Sequence, residues 1–222
     1  MNTYPLHFKN GHIFIELDGK LWLFDTGAPM GFGNGQTVDL AGTTFNIERE
    51  YFGLNAEVLS GHVDVECAGL LGADVINCFN SLIDIPQKRI IMSSGELDHD
   101  GVRVPLEEFM GIPIVTVSIG GEEYPMFFDT GAQISYFQDE SIEQYPAMGA
   151  MADFFPNFGA FETETYQVPV TVSGLTFELR CGSLPGMLGM TLMMADTQGI
   201  IGNDVMVDRV VGYFPRRELM FL

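Results

Sequence analysis

Two copies of one tetrapeptide carry the groups in this chain best suited to chemistry. Asp25-Thr26-Gly27-Ala28 follows the apolar run Leu21-Trp22-Leu23-Phe24, and Asp129-Thr130-Gly131-Ala132 follows Met126-Phe127-Phe128. A carboxylate at the end of a buried strand is costly unless something pairs it or uses it. Two such carboxylates side by side cannot both hold full charge, so they would share one proton and titrate as a pair. One is then a base able to take a proton from water, and the other an acid able to protonate a carbonyl oxygen. The reaction open to them is hydrolysis of a peptide bond by direct water attack, with no metal and no covalent intermediate. Thr supplies a hydroxyl to brace the turn, and Gly admits backbone where a Cβ would clash.

Elements able to position the pair are readable around each copy. Gly11 to Gly19 alternates apolar and polar residues and ends on Asp18-Gly19, the signature of a hairpin whose return strand, Lys20 to Phe24, runs into Asp25. The same plan recurs from Gly111 to Ile119, across Gly120-Gly121, into Asp129. Downstream, Leu70-Leu71-Gly72-Ala73-Asp74 is matched by Ile200-Ile201-Gly202-Asn203-Asp204, each opening a short helix in which Asp can serve the N-terminus. Pro-centred returns follow, at 82–92 and 211–221. A polar, Gly-containing stretch, Ser93 to Gly101, divides two β-rich lobes, 1–96 and 102–222.

The halves are unequal. The second is longer between its Asp and its downstream Gly, and the extra length contains Phe154 to Tyr166, read as a hairpin with its tip at Pro156-Asn157-Phe158-Gly159. It continues into a further hairpin turning at Ser173-Gly174. The first half has a short counterpart of only that last hairpin, around Ala41-Gly42. Pro29 after Ala28 differs from Gln133 after Ala132, and the sequence suggests no functional reason.

Taken together, the doubled Asp-Thr-Gly-Ala, its apolar approach and the downstream apolar-apolar-Gly resemble the aspartic proteases of the pepsin/retropepsin superfamily, over nearly the whole length. The resemblance implies an all-β fold of two pseudo-twofold-related retropepsin-like lobes with short helices, fused in one chain. It implies Asp25 and Asp129 as the catalytic dyad, and reciprocal hydrogen bonds from Thr26 and Thr130 between the loops. Gly27, Ala28, Gly131 and Ala132 would support those loops, and Gly72 and Gly202 would lie in strands beside them. It further implies a peptide or protein substrate, a monomer, and no cofactor. Departures from the family pattern are expected to matter. Ala28 and Ala132 stand where pepsins usually carry a hydroxyl, so the optimum should be less acidic than pepsin's. One substrate-binding flap is expected, from the second lobe, at Asn157, Phe158, Gly159 and Ala160, with Phe158 and Phe161 closing over the substrate. No prosegment is visible. A second class fits the same residues: a peptide-binding or adaptor protein that keeps the fold without cutting.

Composition narrows the partners. The 222 residues carry 30 acidic against 10 basic side chains, a formal charge of −20, which argues against nucleic acid and anionic membranes. No apolar run approaches a membrane span, and no secretory signal is visible, so a cytoplasmic protein is expected. Cys67, Cys78 and Cys181 are odd in number and share no metal-ligand spacing, which reads as reduced, mostly buried thiols. His7, His12, His62 and His99 read as surface or core residues, not ligands. Met187, Met190, Met193 and Met194 read as core packing.

Overall fold

A computed structural model describes residues 1–155 and 159–222. Its strands form a ten-stranded sheet, an eight-stranded sheet and two short two-stranded ones, with few and short helices. The chain is mostly β-sheet.

Local chemistry accounts for the turns. Strands His12–Leu17 and Lys20–Phe24 pair antiparallel from Leu17↔Lys20, so the loop is only Asp18-Gly19. Both residues have positive φ, at 49° and 73°, which Gly and Asp tolerate best and which matches the twist of the flanking strands. Strands Ile112–Ile119 and Glu122–Phe128 turn in the same way through Gly120-Gly121. The strand Asn2–Lys9 contains Pro5, a residue that usually disqualifies a strand interior. Here Pro5 sits where the strand changes partner, from Arg89–Ser93 on one side to His12–Leu17 on the other.

The two halves pair strands in equivalent ways. Lys20–Phe24 runs parallel to Gly69–Leu71, which pairs antiparallel with Phe32–Gly33. Glu122–Phe128 runs parallel to Gly199–Ile201, which pairs antiparallel with Ser135–Phe137. The halves are also joined: Asn80–Asp84 pairs with Val210–Phe214, so strands from both ends of the chain share the ten-stranded sheet. Behind this seam lies the main core, where Phe24, Phe128, Ile201 and Tyr213 are all fully buried.

Two smaller apolar clusters flank the strand ends. One gathers Phe14, Leu23, Phe32 and Leu70 under helix α1 (Ala56–Val63), with Ala28 at its edge. The other gathers Ile114, Phe127, Tyr136 and Ile200 with Leu192 of helix α3 (Gly186–Met194), and Ala132 at its edge. Helix α1 starts on Asn55, whose side chain accepts from the Glu57 and Val58 amides. Helix α2 (Ala73–Ile76) and the 3-10 turn Asn203–Met206 follow Gly72 and Gly202.

The extra length of the second half forms antiparallel strands Ala147–Phe155 and Gly159–Val172, the second continuing into Leu175–Gly182. Asn157 and Phe158 of the expected tip lie outside the described residues.

One packing expectation is corrected. Met190, Met193 and Met194 are not core residues: they are 65%, 79% and 76% exposed, and only Leu192 anchors that end of α3. Among the described residues none covers them; the Met187 side chain lies outside the described residues. Of the cysteines, Cys67 and Cys181 are buried and Cys78 is exposed. Among the described residues no helix is long and apolar enough to cross a membrane.

Candidate active site

Each Asp-Thr-Gly loop is anchored by the strand that threads beside it. The Asp25 amide donates to Leu71 O at 3.1 Å and the Ala73 amide to Ala28 O at 2.8 Å; the equivalents are Asp129 to Ile201 O at 2.9 Å and Asn203 to Ala132 O at 2.9 Å. Gly72 and Gly202 stand just past these strands, not within them, and pack on the loop backbone. A Cβ on Gly72 would lie 2.8 Å from Ala28 O, and one on Gly202 2.9 Å from Ala132 O. Asp74 and Asp204, in the first turns that follow, add side-chain ties: the Gly31 amide donates to Asp74, and the Ser135 hydroxyl to Asp204.

The loops meet through their threonines, both fully buried. The Thr26 hydroxyl donates to Phe128 O at 2.8 Å and accepts from the Thr130 amide at 3.0 Å. The Thr130 hydroxyl donates to Phe24 O at 2.7 Å and accepts from the Thr26 amide at 3.0 Å. Four main-chain groups that water cannot reach are satisfied by two side chains.

This clasp brings Asp25 and Asp129 into hydrogen-bond contact. Each carboxylate also reaches under the other loop: a Cβ on Gly27 would sit 2.2 Å from Asp129 Cγ, and one on Gly131 2.5 Å from Asp25 Cγ. No residue with a side chain fits at either glycine. Asp25 Oδ1 accepts from the Gly27 and Ala28 amides, and Asp129 Oδ1 from the Gly131 and Ala132 amides. Burial, then the charge of Asp129, pushes the Asp25 carboxyl well above the ordinary carboxylate range. Asp129 is also raised by burial, against which its bond to Asp25 acts. The two carboxyls therefore titrate as one pair that holds a proton between them.

Of the histidines read as surface or core residues, His12 is in the core and supports the second Asp-Thr-Gly loop. It is 2% exposed, and its Nδ1–H donates to Gly131 O at 3.0 Å while Nε2 accepts from the Gln133 amide nitrogen at 3.0 Å. Those partners fix a neutral imidazole, and burial lowers its pKa. Gln133 thereby has a task that Pro29 cannot share. Asn203 completes this support by donating to Gly11 O and Thr130 O. The sequence marks His12 as a strand position with a surface or core role and carries no sign of its loop partners.

The long hairpin bridges the two flanking clusters. Phe154 reaches the first half, where its ring stacks on His62 of α1 at 4.2 Å and 6°. Met151, Phe155 and Phe161 pack into the cluster of the second half, beside Tyr136 and Ala132. Gly159 and Ala160 open the hairpin's second strand.

Asp204 is a buried carboxylate of a different kind. Its Oδ2 is enclosed with no partner, and burial pushes the group up to about 6. A carboxyl that binds its proton more tightly when folded contributes its full stability below the unfolded pKa and loses it as pH rises through the folded one. That loss amounts to about 3 kcal/mol. Between about pH 4 and pH 7 the wild-type unfolding midpoint is expected to fall relative to Asp204→Asn. Parallel midpoint curves for the two proteins would remove Asp204 from this role.

No protein-family model matches the chain, and no curated protein matches it.

Proposed function

We propose that the protein is an aspartic endopeptidase in which Asp25 and Asp129 activate a water against a peptide bond. On this reading the two halves are retropepsin-like lobes related by a pseudo-twofold axis between the threonines. The observation that carries it is the contact of two carboxyls, each ending a buried strand, held together by a reciprocal Thr clasp. A structural site would have little reason to force two acids into one buried place at the cost of raising both pKa values.

On this reading the shared proton starts on Asp25. A water between the carboxyls loses a proton to Asp129 as its oxygen attacks the scissile carbonyl carbon, while Asp25 donates its proton to the carbonyl oxygen. The tetrahedral diol then collapses as Asp129 passes its proton to the leaving nitrogen and Asp25 recovers one from the diol. The pair returns to one proton. The substrate lies extended between the halves with its backbone along the hairpin 147–172, as strand-adding peptides do. Apolar residues of the substrate meet the partly exposed Phe154 on the first-half side of the site.

The raised dyad sets the pH range. Activity needs one proton on the pair, so it fails at low pH when both carboxyls are protonated and at high pH when both are ionised. With Ala28 and Ala132 offering no hydroxyl to the ionised carboxylate, the kcat/KM optimum is expected to be less acidic than pepsin's. A profile peaking near pH 2 would overturn that expectation. Incubation with a diverse peptide pool between pH 3 and 8, with and without pepstatin, tests the function itself. Pepstatin-sensitive cleavage is expected, and binding without cleavage across that range would sink the proposal.

A further inference from the structure

One carboxylate near the dyad has no part in the mechanism above. Asp153 lies on the strand Ala147–Phe155, opposite Phe161 in the antiparallel register. Its carboxylate accepts the Tyr136 hydroxyl proton on one oxygen and the Phe154 amide, at 2.8 Å, on the other. Side chains alternate along a strand, so Asp153 shares a face with Met151 and Phe155. Met151 and Phe155 pack with Phe161 and Tyr136 in the apolar cluster beside Ala132, and the Tyr136 and Phe161 rings are 6.2 Å apart.

The charge of Asp153 is uncompensated. It is only partly buried, and no Lys or Arg among the described residues pairs with it. Its nearest titratable neighbours are Tyr136, which burial and Asp153 keep protonated; His12, whose partners keep it neutral; and Asp129. None brings a positive charge. A second anion beside a catalytic anion is unfavourable unless a ligand supplies the counter-charge. The equivalent of Tyr136 on the other side is Phe32, by strand position, which offers no hydroxyl to hold a carboxylate.

We propose that Asp153 makes this protein select peptides with a cationic side chain, Lys or Arg, at one of the two residues flanking the cut. This rests on the endopeptidase reading and names its substrate class. The long aliphatic stem of such a residue lies against Phe161, Met151 and Phe155, and its head meets the Asp153 carboxylate on the Asp129 side of the site. The opposite side, where Phe154 and Ala28 are the partly exposed apolar side chains, keeps an apolar preference. A chain with a net charge of −20 also draws cationic peptides toward it.

The test compares paired peptides that differ only in Lys or norleucine at each flanking position. For the wild type, kcat/KM is expected to favour Lys at one of them by about tenfold or more. In Asp153→Asn, which keeps an acceptor for Tyr136, that ratio is expected to fall to about one, whatever happens to the absolute rates. Asp153→Lys is expected to invert it and favour Glu over Lys. The same ratios read as Kd, from fluorescence anisotropy with fluorescein-labelled peptides on Asp25→Asn, keep the question open to measurement without turnover. Equal ratios for wild type and Asp153→Asn, in cleavage or in binding, would overturn the proposal. Absence of any cleavage together with a Lys preference in binding would instead sink the endopeptidase reading and leave Asp153 as the cation site.

Discussion

Asp25→Asn and Asp129→Asn are each expected to lower the rate of peptide hydrolysis by about a thousandfold or more. The substitution is nearly isosteric, and an amide oxygen still accepts from the loop amides that now bond each Oδ1. What disappears is the ability to carry a proton between water, diol and leaving nitrogen. Loss of fold would be a trivial cause of the same result, and stability separates the two. Both carboxyls are raised by burial, so at neutral pH each is held against its preference and weakens the folded state. Either Asn variant should therefore melt at or above the wild-type temperature at pH 7 while losing activity. Equal cleavage by wild type and both variants would remove the dyad mechanism. A fall in rate accompanied by a fall in melting temperature would assign the loss to structure.

Much of this arrangement was local enough to read in the sequence. Asp18-Gly19, Gly120-Gly121, Ala41-Gly42 and Ser173-Gly174 all fall at two-residue turns with positive φ, because that backbone shape selects its residues whatever surrounds it. The doubling of Asp-Thr-Gly-Ala was enough to suggest contact between Asp25 and Asp129. Pairings that depend on long-range geometry left no such trace. His12 reaches a carbonyl 119 positions away, and Asp153 and Phe154, adjacent in the chain, go to opposite halves of the molecule. Helix α1 had one overlooked local signal, Asn55 as its cap, but Gly61 inside it and only eight residues gave a weak pattern. The methionines of α3 misled for a physical reason: apolar character argues for burial only where another surface covers it, and among the described residues none does.

The clasp between the loops should dominate stability as the dyad dominates rate. Thr26→Val keeps the volume of the side chain but leaves Phe128 O and the Thr130 amide without partners, at a residue that is fully buried. A buried polar group stripped of its partner costs about 1–3 kcal/mol, so the single change is expected to cost about 3 kcal/mol in urea unfolding. Thr130→Val should cost a similar amount, through Phe24 O and the Thr26 amide. The double variant is expected to fall short of the sum, since separating the loops once lets water reach all four groups. Thr26→Ser keeps the hydroxyl and should recover most of both stability and activity, which a requirement for the methyl alone would not allow. Activity is expected to fall with the clasp even where the protein remains folded, because a shift of about 1 Å between the loops uncouples the two carboxyls that share a proton. If Thr26→Val unfolds at the wild-type urea concentration and retains full kcat, the two loops are held together by the surrounding sheets and not by the threonines.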